Sequence, residues 1–221
     1  MSIKKQKIKV WDFPTRFFHW AMVCLLGGLW WTADNGEMQW HQVCAYVLMT
    51  LIAFRLLWGF VGSETSQFKH FVVLPKQAID YAFKQPKPHS IGHNPLGGYM
   101  VILLLSLLVA QLLSGLFATD GIFTEGPLSY LVSSDTAGWL TWLHKTNFKI
   151  ILAMSVIHVI AVLVHMVKGE NLLKAMFSGY KYVNSGNTAP KLRSPLLALA
   201  IILVIFTLVW FGLLEPVVSF L

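Results

Sequence analysis

The stretch WLHKTNFKIILAMSVIHVIAVLVH, residues 142–165, decides how this chain is read. From Phe148 to Val167 the sequence is an almost unbroken apolar run, matching the roughly 17–25 residues that a helix needs to span a bilayer. His158 and His165 lie inside the run, and His144 precedes it. An ionisable side chain at membrane depth is costly to desolvate, so each is a functional candidate by default. His144 and His158 are 14 residues apart. On a helix that separation is about 21 Å along the axis and only about 40° around it. One stripe of a single helix therefore offers two imidazoles at opposite depths.

Four further apolar runs flank this one. They extend from about Phe17 to Ala33, Trp40 to Val61, Leu96 to Thr119 and Leu196 to Leu214, and the second of them contains Arg55. Of 221 residues, 56% are hydrophobic and only 12% charged, with mean hydropathy +0.61. A soluble domain carries about a quarter charged residues, so the composition argues against a cytosolic enzyme and for a bilayer protein. The pattern predicts an all-α integral membrane bundle of five crossings, since a helix satisfies its own backbone in lipid. Residues 184–194, polar with Gly and Pro, read as a linker. They divide a four-helix unit, 1–183, from an additional C-terminal helix, 195–221. The segment 74–85, LPKQAIDYAFKQ, has apolar positions at helical spacing with lysines between, as in a helix lying on a membrane surface. The basic start, MSIKKQKIKV, leads into a full-width run without a small-residue cleavage pattern, and reads as a retained first helix.

The net charge of +7 follows topology rather than nucleic-acid binding. Lys4, Lys5, Lys7, Lys9, Arg16, Lys69, Lys76, Lys84, Lys87, Lys168, Lys174, Lys181, Lys191 and Arg193 fall on one side of the alternating runs. The other side has Lys145 and Lys149 with most of the acidic residues. The positive-inside rule places the N-terminus in the cytoplasm and the C-terminus outside. Membrane lipid is the implied surroundings, and the basic face attracts anionic lipid. Cys24 and Cys44 lie in apolar runs without a CxxC or CxxCH pattern, as small buried residues.

Two more histidines complete the geometry. His19 sits at the inner end of the first run, and His41 opens the second from outside. By depth, His41 pairs with His144 and His19 with His158, although His165 matches the depth of His19 at least as well. Facing imidazoles on neighbouring helices are what bis-histidine haem ligation requires, and a bundle core is where such a group sits. With both axial positions filled by protein, the chemistry is one-electron transfer. A proton relay or hydrogen-bonded structural histidines are the alternatives that spacing leaves open. Arg55, 14 residues after His41, and Arg16, one turn before His19, are candidates to pair with haem propionates. Both also fit as snorkelling anchors. Gly27, Gly28, Gly59 and Gly115 suit either a macrocycle against the backbone or close helix packing. His70, His89 and His93 fall in the 62–95 connection, where loop roles dominate.

At this point the motifs resemble a known family. WDFPTRFFHWAMV (11–23), WHQVCAYVLMTLIAFRLLWGFVG (40–62), IGHNPLGGYM (91–100), the 142–165 stretch and GENLLKAMFSGY (169–180) together resemble the bacterial cytochrome b561 and nickel–iron hydrogenase cytochrome b superfamily. The resemblance covers about residues 9 to 183. It implies a four-helix membrane cytochrome with two haems b, held by His19, His41, His144 and His158, and so favours His158 over His165. His93 is not a ligand in that family, and the fifth helix departs from its four-helix pattern as a candidate docking surface. The function expected is transfer of single electrons between the quinone pool and a redox partner. That partner would be a hydrogenase, a multihaem c-type cytochrome or another periplasmic redox protein. A stand-alone superoxide:quinone oxidoreductase is the enzymatic alternative, and a haem-free proton-coupled carrier the third.

Overall fold

The structure is a computed structural model that describes residues 5–84, 91–122, 124–184 and 188–219. Expectations on Lys4, Lys87, His89, Gln85 and residues 185–187 lie outside them. The chain opens with β1 (Lys5–Lys9). After it, Asp12 caps α1 (Phe13–Asp34) by accepting a hydrogen bond from the Thr15 amide at 2.7 Å, with Pro14 in the first turn. A turn through Gly36, at φ 74°, returns the chain into α2 (Met38–Val61). The inner connection folds into two short helices, α3 (Phe68–Phe71) and α4 (Pro75–Phe83). The second is the helix expected at 74–85, with Ile79 and Phe83 exposed. Asn94 then caps α5 (Pro95–Gly115), accepting from the Gly97 amide at 2.7 Å.

The longest helix differs from the sequence expectation. It was expected from about Phe148, but α6 spans Ser134–Val167, 34 residues, or roughly 51 Å. Its start is written in polar residues rather than apolar ones. Ser133 accepts from the Thr136 amide at 3.3 Å, and Asp135 sits in the first turn where the helix dipole favours an anion. His144 therefore lies within the same continuous helix as His158. The chain continues through α7 (Leu172–Ser178), ended by Gly179 at φ 84°, into β2 (Tyr180–Asn184).

Strand β2 pairs antiparallel with β1, Ile8 opposite Lys181. No strand was expected here, because the alternation Lys7–Ile8–Lys9 is too short to stand out. It forms because Ile8 buries with Val10, Trp11 and Ala175 in a small core of its own. The described part of the 184–194 segment is tied down: Glu64 and Lys191 exchange hydrogen bonds, and the Arg193 amide donates to Ser63 Oγ at 2.9 Å. From there α8 (Pro195–Val209) continues through a π-helical turn, Trp210–Leu214, into α9 (Glu215–Val218).

Helices pack in two pairs, α1 along α2 and α5 along α6. The pairs join chiefly through α2 and α5, while α6 makes no extended contact with α1 or α2. The core runs through Phe18, Leu48, Leu51, Phe54, Trp58, Leu105, Leu108 and Leu112. Helix α8 lies against α2 on its far side and touches α1. Four helices, α2, α5, α6 and the α8–α9 rod, are long and apolar enough to cross a membrane. Their outer faces carry many exposed Leu, Ile and Val side chains. Helix α1 is long enough but more polar, with Arg16 and His19 near its start. Trp30, Trp31, Trp40, Trp139 and Trp142 are exposed at one end of the bundle, as in an interfacial aromatic belt.

Candidate functional site

His41 and His144 meet at the tryptophan-rich end, from α2 and α6. Their ring centroids are 6.4 Å apart and the planes inclined at 73°. Each ring is held from behind by the partner helix of its own pair. His41 Nδ1 donates to the Leu29 carbonyl of α1 at 3.0 Å, and His144 Nδ1 to the Gln111 carbonyl of α5 at 2.9 Å. A carbonyl can only accept, so both rings carry their proton on Nδ1 and keep the Nε2 lone pair free. That fixed tautomer is how proteins prepare a histidine for metal. A hydroxyl stands 3.3 Å from each Nδ1, Thr32 for His41 and Ser114 for His144. Each hydroxyl in turn donates to a carbonyl of its own helix. Gly115 makes the approach possible, because a Cβ there would stand 2.9 Å from His144 Cε1. Gly59 has the other role considered for it: its missing Cβ admits the Phe68 ring.

The fit to haem follows from these distances. An imidazole nitrogen binds a first-row metal at about 2 Å and its ring centroid lies about 1 Å further out, so two rings on opposite sides of one ion stand roughly 6 Å apart. The observed 6.4 Å matches. Among the described residues no group of three or more His, Cys, Asp or Glu converges as it would around a bare ion. Two imidazoles alone suit a metal that brings its equatorial donors with it, as haem iron does.

At the opposite end, the α1 start, the α2 end and the residues before α5 converge. His19 and His158 are half-buried and within electrostatic range of each other. Arg55 is 3% exposed, its guanidinium 5.1 Å from the Phe68 ring centroid. Asp12, also buried, accepts from Trp58 Nε1 at 3.0 Å and Ser66 Oγ at 3.4 Å, and attracts Arg55 electrostatically. Arg16 turns toward α7, where Nη1 donates to the Phe177 carbonyl. His165 has both nitrogens engaged, Nδ1 by Glu170 at 3.1 Å and Nε2 by Asn94 at 3.4 Å. It is placed as a tie between α6 and its neighbours.

The residue that sequence reasoning set aside is His93. It packs in this inner group, not in a solvated loop. Burial foremost, then Arg55, His158 and His19, push its pKa down to about 3, so the ring is neutral. Its position directly before the Asn-Pro that starts an apolar helix was the available signal. Five buried side-chain nitrogens among the described residues have no hydrogen-bond partner: Arg16 Nε, His19 Nδ1, Trp20 Nε1, Arg55 Nη1 and His93 Nδ1. All five belong to this end.

Searches of curated proteins and of solved structures returned no significant match. The sequence profile of one family, described as prokaryotic cytochrome b561, matches residues 10–179. The match runs from the residues before α1 to the end of α7, includes every histidine discussed above, and leaves out α8. The chain therefore belongs to the prokaryotic cytochrome b561 family, whose members bind haem b, and it is a multi-pass membrane cytochrome of electron transfer.

Proposed function

We propose that the chain holds two haems b, one between His41 and His144 and one between His19 and His158, and conducts single electrons between quinone and a redox partner outside the inner membrane. The observation that carries this reading is the His41–His144 pair, 6.4 Å apart with both Nδ1 protons already assigned. Bound haem supplies a one-electron ferric/ferrous couple. The protein's part would be to hold each haem between two imidazoles, leaving no place for oxygen or substrate at the metal. It also fixes the two outer rings, His41 and His144, through backbone carbonyls, which limits reorganisation there when the charge changes. Helix α6 sets the spacing, with His144 and His158 about 21 Å apart along its axis. Arg55 and Arg16 supply positive charge at the inner end and would offset the charge of the propionates.

Helix α1 completes the crossings to five, with the N-terminus cytoplasmic and the C-terminus periplasmic. The lysines of β1, α4, α7 and β2 then face the cytoplasm, as the positive-inside rule requires. Residues 1–183 form the haem-carrying unit, and α8, seated on α2, extends it as a docking surface. The test is the haem content and spectrum of the purified chain, followed by reduction with a quinol. A conduit passes electrons onward only when its partner is present.

A second reading is a superoxide:quinone oxidoreductase, favoured by the exposed Lys145 beside His144 and by Lys149 one turn on. An anion drawn to those lysines would meet the outer site. Quinone reduction by superoxide in the isolated chain supports this reading, and inertness supports the conduit.

A further inference from the structure

The inner end contains one side chain whose placement neither the family match nor the ligand geometry explains. The His93 ring is clamped between Trp11 and Phe71, each ring centroid 4.7 Å away. Trp11 and Phe71 are themselves 8% and 4% exposed, so the clamp is part of the packed core. The backbone on the C-terminal side is fixed too. Asn94 caps α5, and a Cβ on Gly98 would lie 2.5 Å from the Phe71 carbonyl oxygen, so α5 begins hard against Phe71.

Yet its Nδ1 is sealed from solvent and bonded to nothing, and so is Arg55 Nη1. Leaving such a group unpaired is costly, and native proteins seldom do so without a reason. The two groups share one neighbourhood. Arg55 stands over Phe68, Phe68 packs edge-on against Phe71, and Phe71 packs against His93. A guanidinium only donates, and a neutral imidazole carries one N–H. With that N–H on Nδ1, the two groups form a pair of buried donors, one of them cationic, that complements a carboxylate. The nearby Asp12 is already engaged by Thr15, Trp58 and Ser66. A carboxylate has to come from outside the chain, and haem b carries two on one edge.

We propose that His93 is a positioning residue of the inner haem site, its Nδ1–H binding a propionate carboxylate of that haem together with Arg55. This rests on the reading that His19 and His158 hold a haem. The bond fixes the carboxylate edge and offsets its negative charge. Without it the uncompensated anion favours ferric over ferrous iron, and the midpoint potential of that haem falls.

The experiment is a redox titration of the purified full-length chain, with haem counted in each sample, for wild type, His93→Phe and His93→Gln. The inner midpoint is identified as the one missing from His19→Ala. Phe fills the clamp without a donor, whereas Gln restores an N–H. The expected result is two haems in each of the three proteins. In His93→Phe the inner reduction equilibrium falls threefold or more with the outer one unmoved, and His93→Gln recovers most of the difference. Selective loss of the inner haem in His93→Phe with retention in His93→Gln also supports the proposal. Unchanged midpoints, equal shifts in both haems, or a Gln variant that behaves like Phe overturn it. So does loss of both haems in both variants, which marks His93 as a folding residue. A wild-type chain with fewer than two haems overturns the two-haem reading itself, an outcome distinct from two haems with an unmoved inner midpoint.

Discussion

At the tryptophan-rich end of the bundle, both histidines are wired before any cofactor arrives: a backbone carbonyl from the neighbouring helix takes each Nδ1 proton, and a hydroxyl stands beside it. At the lysine-rich end the same residue type is left open. His19 Nδ1 has no partner, and neither do nitrogens on Arg16, Trp20, Arg55 and His93. At the first end the chain itself orients both rings. The second is a set of buried nitrogens without partners among the described residues, suited to a ligand that carries negative charge. On the two-haem proposal, the two sites depend on the cofactor for their order to very different degrees.

That contrast can be broken most sharply at the ligands. His41→Ala or His144→Ala is expected to halve the haem content by removing the outer haem alone, and His19→Ala or His158→Ala by removing the inner alone. Haem-to-protein ratios with reduced-minus-oxidised spectra read this directly, and a ratio untouched by all four substitutions refutes the pairing. Next in size is Asp12→Ala. It removes the cap of α1 and strands the buried Trp58 N–H, for a loss of about 3 kcal/mol in folding stability. Thermal unfolding in detergent measures it. The loss of order should centre on the inner haem, because Asp12 anchors that end.

Gly115→Ala sharpens the comparison from the other side. The new methyl would press on His144, and overpacking of this kind costs about 1–3 kcal/mol. The outer haem should be retained roughly tenfold more weakly in competition with apomyoglobin, and the inner haem as before. Equal weakening of both would show that the two sites are not independent. The smallest effect is expected from His165→Ala. Both haems should remain and stability should fall by about 1 kcal/mol, the value of a hydrogen bond or two. Loss of the inner haem there would exchange His165 for His158 as ligand.

Much of the fold was legible because membrane helices announce themselves by continuous apolarity, and α2, α5, α6 and α8 follow from that alone. The outer start of α6 was not legible, since residues 134–147 are mixed in character and their helicity depends on the Ser133 cap and on packing against α5. The β1–β2 pairing was missed because its two strands are more than 170 residues apart and each is only five residues long. The His41–His144 pair followed from depth and helical phase, and the structure brings the two rings together. His93 did not follow, because its place depends on how a loop folds under Trp11 and Phe71, which no periodicity encodes. Nor did Asp12, which looks like an ordinary residue at the mouth of a helix until Trp58 and Ser66 close over it.

The most direct test of the account is a count of haem b per chain in the purified protein, with the spin state of the iron read from its absorption and paramagnetic resonance spectra. Two low-spin haems per polypeptide, each with two nitrogen axial ligands, is the predicted result. One haem or none, or high-spin iron with a vacant coordination position, would contradict it.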